Sequence, residues 1–452
     1  MSKRLFEDFE AVSSKAWKQK IQVDLKGADY NETLIWKTNE GIDVKPFYHA
    51  DAFDTFTTHL NNNSWLIGQE IGVNDASSGN TKAIDALKRG AEHIQFIISN
   101  EDIDLNALLQ DIDISTVKVT LQWNFQPSDQ YLNQYKSVLD TSNVTCLYDC
   151  IHQLASSGNW YQSLKDDLKT HSHYVSASNT LHVDARLYQN AGANIIQQLA
   201  YTLAHCNEYL NQLDIEDKNE VELVFSVAVG SNYFFEIAKL RALRMLWSSL
   251  ADAYGYNANC QIIAIPSKRN KTIYDYNTNM LRTTTECMSA VIGGADIVIN
   301  LPYDSIYHKS NEFGDRISRN QLLVLKHESY FDKVNNTADG SYYIESLTSQ
   351  LANKALDLFK QIEAAGGFLS QLKDGKIQMK IKESANKEQD TFDSGDLVLL
   401  GTNKHPNPND KMKQDLEIDP FLKVEARKTL IAPITVRRLA EPMEQKRLKD
   451  EE

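Results

Sequence analysis

Val221-Glu-Leu-Val-Phe-Ser-Val-Ala-Val-Gly230 is a near-continuous apolar run, and Ser231-Asn232 then opens a segment with Ile237, Leu240, Leu243 and Trp247 at helical spacing. A strand that is apolar on both sides needs cover on both faces, and Glu236 in the first turn of the following segment complements a helix dipole. The same unit recurs seven more times. The other apolar runs are Trp65–Ile71, His93–Ser99, Thr116–Trp123, Thr145–Cys150, Leu181–Arg186, Cys260–Ser267 and Ile297–Leu301. From Trp65 to Ile297 is 232 residues over seven intervals. That is about 33 per repeat, room for a strand, a crossover helix and two loops. The spacing predicts a closed α/β barrel of the (β/α)8 (TIM) type, in which chemistry belongs to the C-terminal ends of the strands.

The helix signals agree with this alternation. Ser78 and Asn80 are the expected caps of a first helix running through Ile84 and Leu87 to Gly90. A fifth helix follows Gly192 with Ile195, Ile196, Leu199 and Leu203 on one side, and a seventh ends at Gly293-Gly294. The expected division is an N-terminal arm over 1–48, a barrel over 49–370 and a C-terminal extension over 371–452. The arm carries Trp17, Trp36, Phe47 and Tyr48 among polar residues, too few apolar groups for its own core, and so is expected to lie across its own barrel or a partner. After the barrel, Ile344–Glu363 reads as an added helix. Lys382–Asp390 and Lys404–Asp415 read as loops, and the chain from Glu441 reads as a frayed tail.

The chain has 452 residues, with 47 Lys and Arg against 61 Asp and Glu, and its net charge of −14 argues against nucleic acid or an anionic membrane as a partner. No apolar stretch approaches the length of a membrane span, and Met1–Glu10 does not read as a signal or transit peptide. Five cysteines without a CxxC pair point to reduced thiols and a cytoplasmic location.

Chemical motifs are sparse. There is no G-x-G-x-x-G, G-x-x-x-x-G-K-[ST] or H-E-x-x-H, so nucleotide loops and zinc sites lack sequence support. His171-x-His173 with His182 offers imidazoles at poor metal spacing, and is read as a polar loop followed by a strand histidine. Cys146 and Cys150, four apart on the fourth strand, read as small core residues on one face. Barrel logic selects residues just past strand ends: Asn74, Asp75, Asp149, Arg186, Asn232, Ser267 and Asn300. Asp149 and Arg186 are expected to form either an ion pair across the barrel mouth or an anion-binding pair.

A series of motifs then carries a resemblance. Gln22-Val-Asp-Leu-Lys-Gly-Ala28, Glu40-Gly-Ile-Asp-Val-Lys-Pro-Phe-Tyr48, Asn190-Ala-Gly-Ala-Asn194, Phe235-Glu-Ile-Ala-Lys-Leu-Arg241, Leu281-Arg-Thr-Thr-Thr285 and Phe313-Gly-Asp-Arg-Ile-Ser-Arg-Asn320 stand in one collinear order. Together they resemble the methylmalonyl-CoA mutase family. The resemblance implies a barrel built for methylmalonyl-CoA or succinyl-CoA and a separate flavodoxin-like domain for adenosylcobalamin.

Departures from the family pattern are equally specific. Catalytic chains end the fifth strand in a segment like S-G-Y-H-M-Q-E-A-G-A; here Leu187 stands at the histidine, and a leucine cannot donate a hydrogen bond to the migrating carbonyl. The Arg- and Tyr-bearing CoA clamp has no counterpart in His49–Ser64. The H-C-Q-T-S-G-W-type end of the seventh strand reads Asn259-Cys-Gln-Ile-Ile-Ala-Ile-Pro266, and D-x-H-x-x-G is absent. Leu187, Ile262, Ile263 and Ile265 are therefore expected to close the axial channel. These departures resemble the non-catalytic small subunit of heterodimeric mutases. They imply no catalytic, cofactor-binding or metal residue on this chain, vestigial mouth residues at Asp149, Arg186 and Ser267, and partner contacts at Trp17, Trp36, Phe47 and Tyr48. Adenosylcobalamin is then expected on a partner large subunit.

Overall fold

The computed structural model describes residues 8–52, 65–139, 141–213, 218–423 and 427–451. Eight parallel strands form its centre: β1 Leu66–Val73, β2 His93–Ile98, β3 Lys118–Trp123, β4 Val144–Leu147, β5 Thr180–Asp184, β6 Glu222–Val229, β7 Gln261–Pro266 and β8 Ile297–Ile299. They are hydrogen-bonded in the order β4-β3-β2-β1-β8-β7-β6-β5, so β1 and β8 join and the sheet curls into a (β/α)8 barrel. The expected closure is incomplete, because β4 and β5 share no ladder. Side chains bridge that seam. The Asp184 amide donates to Asp149 Oδ2 at 2.8 Å, and His152 Nδ1 meets the Asp184 carbonyl at 3.1 Å.

Register separates the two faces of the wall. Glu70 pairs with Gln95, Leu121 with Cys146, and Ile297 with both Leu66 and Ile263. Residues on one side meet the helices in a continuous apolar layer. Those on the other side fill the axis in two unlike halves. Leu147, Val224, Ile263, Ile265, Ile297 and Ile299 form a separate apolar cluster. Gly68 faces it, and a Cβ there would come within 2.5 Å of Ile299 Cγ1, so only glycine fits. The opposite half is polar and hydrogen-bonded. Two of the expected channel-closing residues are not axial: Ile262 and Leu187 belong to the layer between barrel and helices. Alternation along β7 turns Ile262 outward while Ile263 and Ile265 point inward.

Several local expectations need correction. Asp75 caps helix Ala76–Lys88, accepting from the Ser78 amide at 2.8 Å; Ser78 and Asn80 lie inside the helix, and Asn80 Nδ2 reaches the carbonyls of Leu108 and Gln110. Cys146 is on β4, but Cys150 opens helix Cys150–Ser157 behind its cap Asp149, so the two thiols do not share a strand face. His171 and His173 lie on helix Leu164–Ser178 rather than in a loop. Lys382–Asp390 is the middle of helix Lys376–Asp393, whose buried Ile377, Ile381 and Phe392 fall just outside the polar window. From Glu441 the chain is helical to Asp450 and pinned by buried Glu444, which pairs with Arg438 at 2.7 Å. Charged anchors do not register in an apolar periodicity.

The arm lies on its own barrel. Its two-stranded hairpin, Trp36–Lys37 with Asp43–Val44, brings Trp36 edge-on to Phe235 at 5.8 Å between ring centres. Tyr48 meets Tyr343 at 5.1 Å, and Trp17 stacks on Phe47 at 4.3 Å. Trp17 and Trp36 remain 43% and 51% exposed. Of the His49–Ser64 stretch, where the resembling catalytic chains carry the CoA clamp, residues 53–64 lie outside the described residues.

Candidate functional site at the barrel mouth

The seam between β4 and β5 opens at the C-terminal end of the barrel into a cavity of about 270 Å³, lined by Gln122, Asp149, His152, Tyr161, His182 and Asp184 among others. Asp149 organises it. The residue follows β4 and caps the next helix, so one carboxylate oxygen accepts from the His152 amide at 2.7 Å, from Tyr209 OH at 2.6 Å and from His205 Nε2 at 3.0 Å. The other accepts the Asp184 amide across the seam. The other ring nitrogen of His205, Nδ1, meets Tyr188 OH at 2.9 Å. Burial pushes the Asp149 carboxyl up, but the imidazoles of His205, His152 and His182 and the His205 bond hold it well below the usual carboxylate range.

Asp149 and Arg186 do not pair. Arg186 begins helix Arg186–Asn190 and folds back on Asp184, two residues earlier, with Nε 2.8 Å from Oδ1 and Nη2 on Oδ2. The nearer carboxylate wins because the turn after β5 brings it within reach of a bidentate fork. Burial raises the Asp184 carboxyl, while Arg186 and His152 hold it far below its ordinary value. Arg186 Nη2 also donates to Gln122 Oε1 at 3.2 Å, which receives Gln95 Nε2 at 3.0 Å. Gln95 reaches Glu70 at 3.4 Å, and Arg186 Nη1 is 3.7 Å from the same carboxylate. Deeper in the axis, His93 meets Thr120 at 2.7 Å and His182 meets Ser226 at 2.9 Å. Burial pulls His93 down to about 3 and His182 down to about 4. Sequence reasoning missed this network, although His93-x-Gln95, Thr120-x-Gln122 and His182-x-Asp184 repeat polar residues with the period of a strand.

The remaining candidates are dispersed. Ser267 donates to Asn190 Oδ1 at 2.9 Å and so ties the end of β7 to the turn after β5, away from Asp149. Asn300 Nδ2 donates to the Ser318 carbonyl and to Gln321 Oε1, a link between β8 and its helix. Leu187 is 5% exposed within the helix-side core. His171 stacks on Tyr209 at 3.8 Å, and exposed His173 meets Asp129, so the imidazoles do not converge. No group of three metal-ligating side chains occurs among the described residues. All five cysteines are free and buried, and burial raises the Cys146 thiol to about 12, far from a thiolate nucleophile. No helix of the described residues is long and apolar enough to cross a membrane.

Above the ends of β5 to β7 lies a second cavity of about 400 Å³, bordered by the arm hairpin and helix Lys376–Asp393. Arg269 joins the helix to the barrel, with Nε on Glu388 and Nη1 on the Arg437 carbonyl. A Cβ on Gly192, at φ +95°, would meet Ala385 Cβ at 2.6 Å, so helix and barrel loop are in direct contact.

The methylmalonyl-CoA mutase family model matches residues 97–449. The chain is 34% identical over 441 residues to the methylmalonyl-CoA mutase small subunit of Porphyromonas gingivalis, covering 89% of this chain and 71% of that one. It is 29% identical over 386 residues to the methylmalonyl-CoA mutase small subunit of Streptomyces virginiae, covering 78% and 63%. With the methylmalonyl-CoA mutase of Cereibacter sphaeroides it shares 27% identity over 479 residues, covering 89% and 66%. Among solved structures, a dihydropteroate synthase of Coxiella burnetii overlaps 66% of this chain and 98% of its own at 10% identity and a TM-score of 0.28. The chain belongs to the methylmalonyl-CoA mutase family.

Proposed function

We propose that this chain is a non-catalytic subunit that supports an adenosylcobalamin-dependent large subunit in interconverting methylmalonyl-CoA and succinyl-CoA. The observation that carries the reading is the polar half of the axis. Gln95, Gln122, Asp184 and Arg186 bond to one another across the space that a ligand arm would thread, and Ile263, Ile265 and Ile299 fill the facing half. Leu187 adds to this, since it supplies no donor where the resembling catalytic chains place a histidine. Helix Lys376–Asp393 stands over the ends of β5 and β7, fixed by Arg269, which supports a cofactor held by the partner. Two of the most similar relatives bear the name small subunit, and others the name large subunit. Because the chain spans 63–71% of the small subunits it matches, activity and partner of the whole assembly are part of the proposal.

Half-exposed Trp17 and Trp36 are the arm's available anchors, since aromatic side chains carry much of the energy of stable interfaces. Co-expression with a cobalamin-binding large subunit, followed by sizing chromatography, is expected to give a one-to-one complex that deletion of Met1–Lys45 weakens. Separate elution, or a complex indifferent to the deletion, overturns the reading. The isolated chain is expected to show no mutase turnover with added adenosylcobalamin. Turnover would establish the alternative, an isomerase borrowing a separate cobalamin chain. A second alternative, a repurposed ligand-binding barrel, draws on the mouth cavity, where buried His182 Nδ1 has no hydrogen-bond partner among the described residues. Saturable acyl-CoA binding by calorimetry on the isolated chain would favour it.

A further inference from the structure

The mouth cavity presents hydrogen-bonding groups that the seam itself does not use. His182, on β5, is 2% exposed and lines the cavity. Its Nε2 meets Ser226 Oγ at 2.9 Å, while its Nδ1 has no hydrogen-bond partner among the described residues. Buried side-chain polar atoms in folded proteins nearly always have one. Three further polar ends in the lining make no hydrogen bond among the described residues. His152 turns Nδ1 to the Asp184 carbonyl, which leaves Nε2. Asn124 offers Oδ1 to Gln122 Nε2 at 3.4 Å, which leaves its own amide nitrogen. Tyr161 lays its ring on Tyr148 at 6.0 Å, which leaves its hydroxyl. These groups come from β5, the turn after β3, helix Cys150–Ser157 and the loop after that helix, so four segments converge on one space.

Charge decides which ligand such a wall takes. Both carboxylates of the lining are already satisfied, Asp149 by His205, Tyr209 and two backbone amides, and Asp184 by the Arg186 guanidinium. No lysine or arginine is in the lining among the described residues. An anion would meet two ionised carboxylates with no cation on the wall, and a cation would have to take lone pairs from donors on which the seam depends. Amides, hydroxyls and imidazoles remain. A ligand hydroxyl both donates and accepts, so it matches His182 Nδ1 in either tautomer and the amide, phenol and imidazole groups beside it. Trp123 and Tyr161 add ring surface to the same wall, and a cavity of about 270 Å³ admits one small ring rather than a long arm.

We propose that the mouth cavity binds a small neutral polyhydroxylated molecule, the size of one sugar or cyclitol ring, with His182 as its buried anchor and Asn124, His152 and Tyr161 around it. Such binding is independent of complex formation with a large subunit, and acyl-CoA, a polyanion, is not a ligand of this class. The test is calorimetric titration of the full chain with myo-inositol and with D-glucose, set against malonate and methylammonium at matched ionic strength. Saturable one-site binding of a neutral probe is expected, with none of either ion. Asn124→Ala and Tyr161→Phe should each weaken it about threefold to tenfold, the size of one neutral hydrogen bond, while Lys165→Ala leaves it unchanged. His182→Leu should abolish it. Asn124 and Tyr161 reach solvent, so their variants keep the test decisive even where His182→Leu folds poorly. Absence of saturable binding at up to about 50 mM of either neutral probe, tighter binding of an ion, or binding that both Asn124→Ala and Tyr161→Phe leave intact, overturns the proposal.

Discussion

The two halves of the barrel axis solve the same packing problem with opposite chemistry. Around β6, β7 and β8 the interior is branched and apolar, fitted so closely that β1 must place Gly68 against Ile299. From β2 to β5, apart from Leu147 on β4, it is amide, imidazole, hydroxyl, carboxylate and guanidinium, linked by hydrogen bonds. The apolar half keeps a continuous ladder, and the polar half contains the seam that side chains must bridge. Apolar packing tolerates no ligand and needs no partner. A polar interior, by contrast, loses stability in proportion to the groups left unsatisfied.

The largest expected effect lies at the seam. Asp149→Ala removes the acceptor of the His152 and Asp184 amides, Tyr209 and His205 at once, and is expected to lower unfolding stability by about 3–5 kcal/mol in denaturant titration. A loss under about 1 kcal/mol would mean that the seam is not held by this carboxylate. In the apolar half, Ile263→Ala leaves a cavity between Ile297 and Ile265 and should lower stability by about 2–4 kcal/mol by the same measurement. Gln95→Leu, which deletes one link of the axial amide chain, is expected to cost about 1–2 kcal/mol, less than the loss of an apolar neighbour across the axis.

A smaller and sharper test uses pH. Burial holds His93 and His171 to about 3 and His182 to about 4 in the folded chain, against an ordinary value near 6.5. A group depressed in this way is protonated first in the unfolded state. Its contribution to stability is therefore complete above about pH 6.5 and lost as the pH falls towards 4. Resonances of these three imidazoles should not titrate between pH 8 and about pH 5. An unfolding-stability profile flat from about pH 7 to pH 4 would contradict the burial of the three rings.

Sequence period made the barrel legible, because eight two-sided apolar runs at one spacing have few other solutions. Gly90 and Gly294, both at positive φ, fell where helix ends were expected. Helix Lys376–Asp393 was hidden because its three buried apolar residues bracket a polar middle, and helix Glu441–Asp450 because ion pairs anchor it. At the mouth, strand-end logic named Asp149, Arg186 and Ser267 but not their partners. Arg186 chose Asp184 over Asp149, and His205 and Tyr209 reached Asp149 from more than fifty residues away.

By itself the sequence determined that eight apolar strand runs recur at one spacing and which motifs mark the mutase family. Those are properties of local period and of order along the chain. Only the tertiary structure decided which side of the wall each strand residue faces, and so that Ile262 packs outward and Ile263 inward. It alone paired the carboxylates and laid helix Lys376–Asp393 over the barrel mouth. Such outcomes depend on distances between segments far apart in sequence, and a one-dimensional pattern carries no distances.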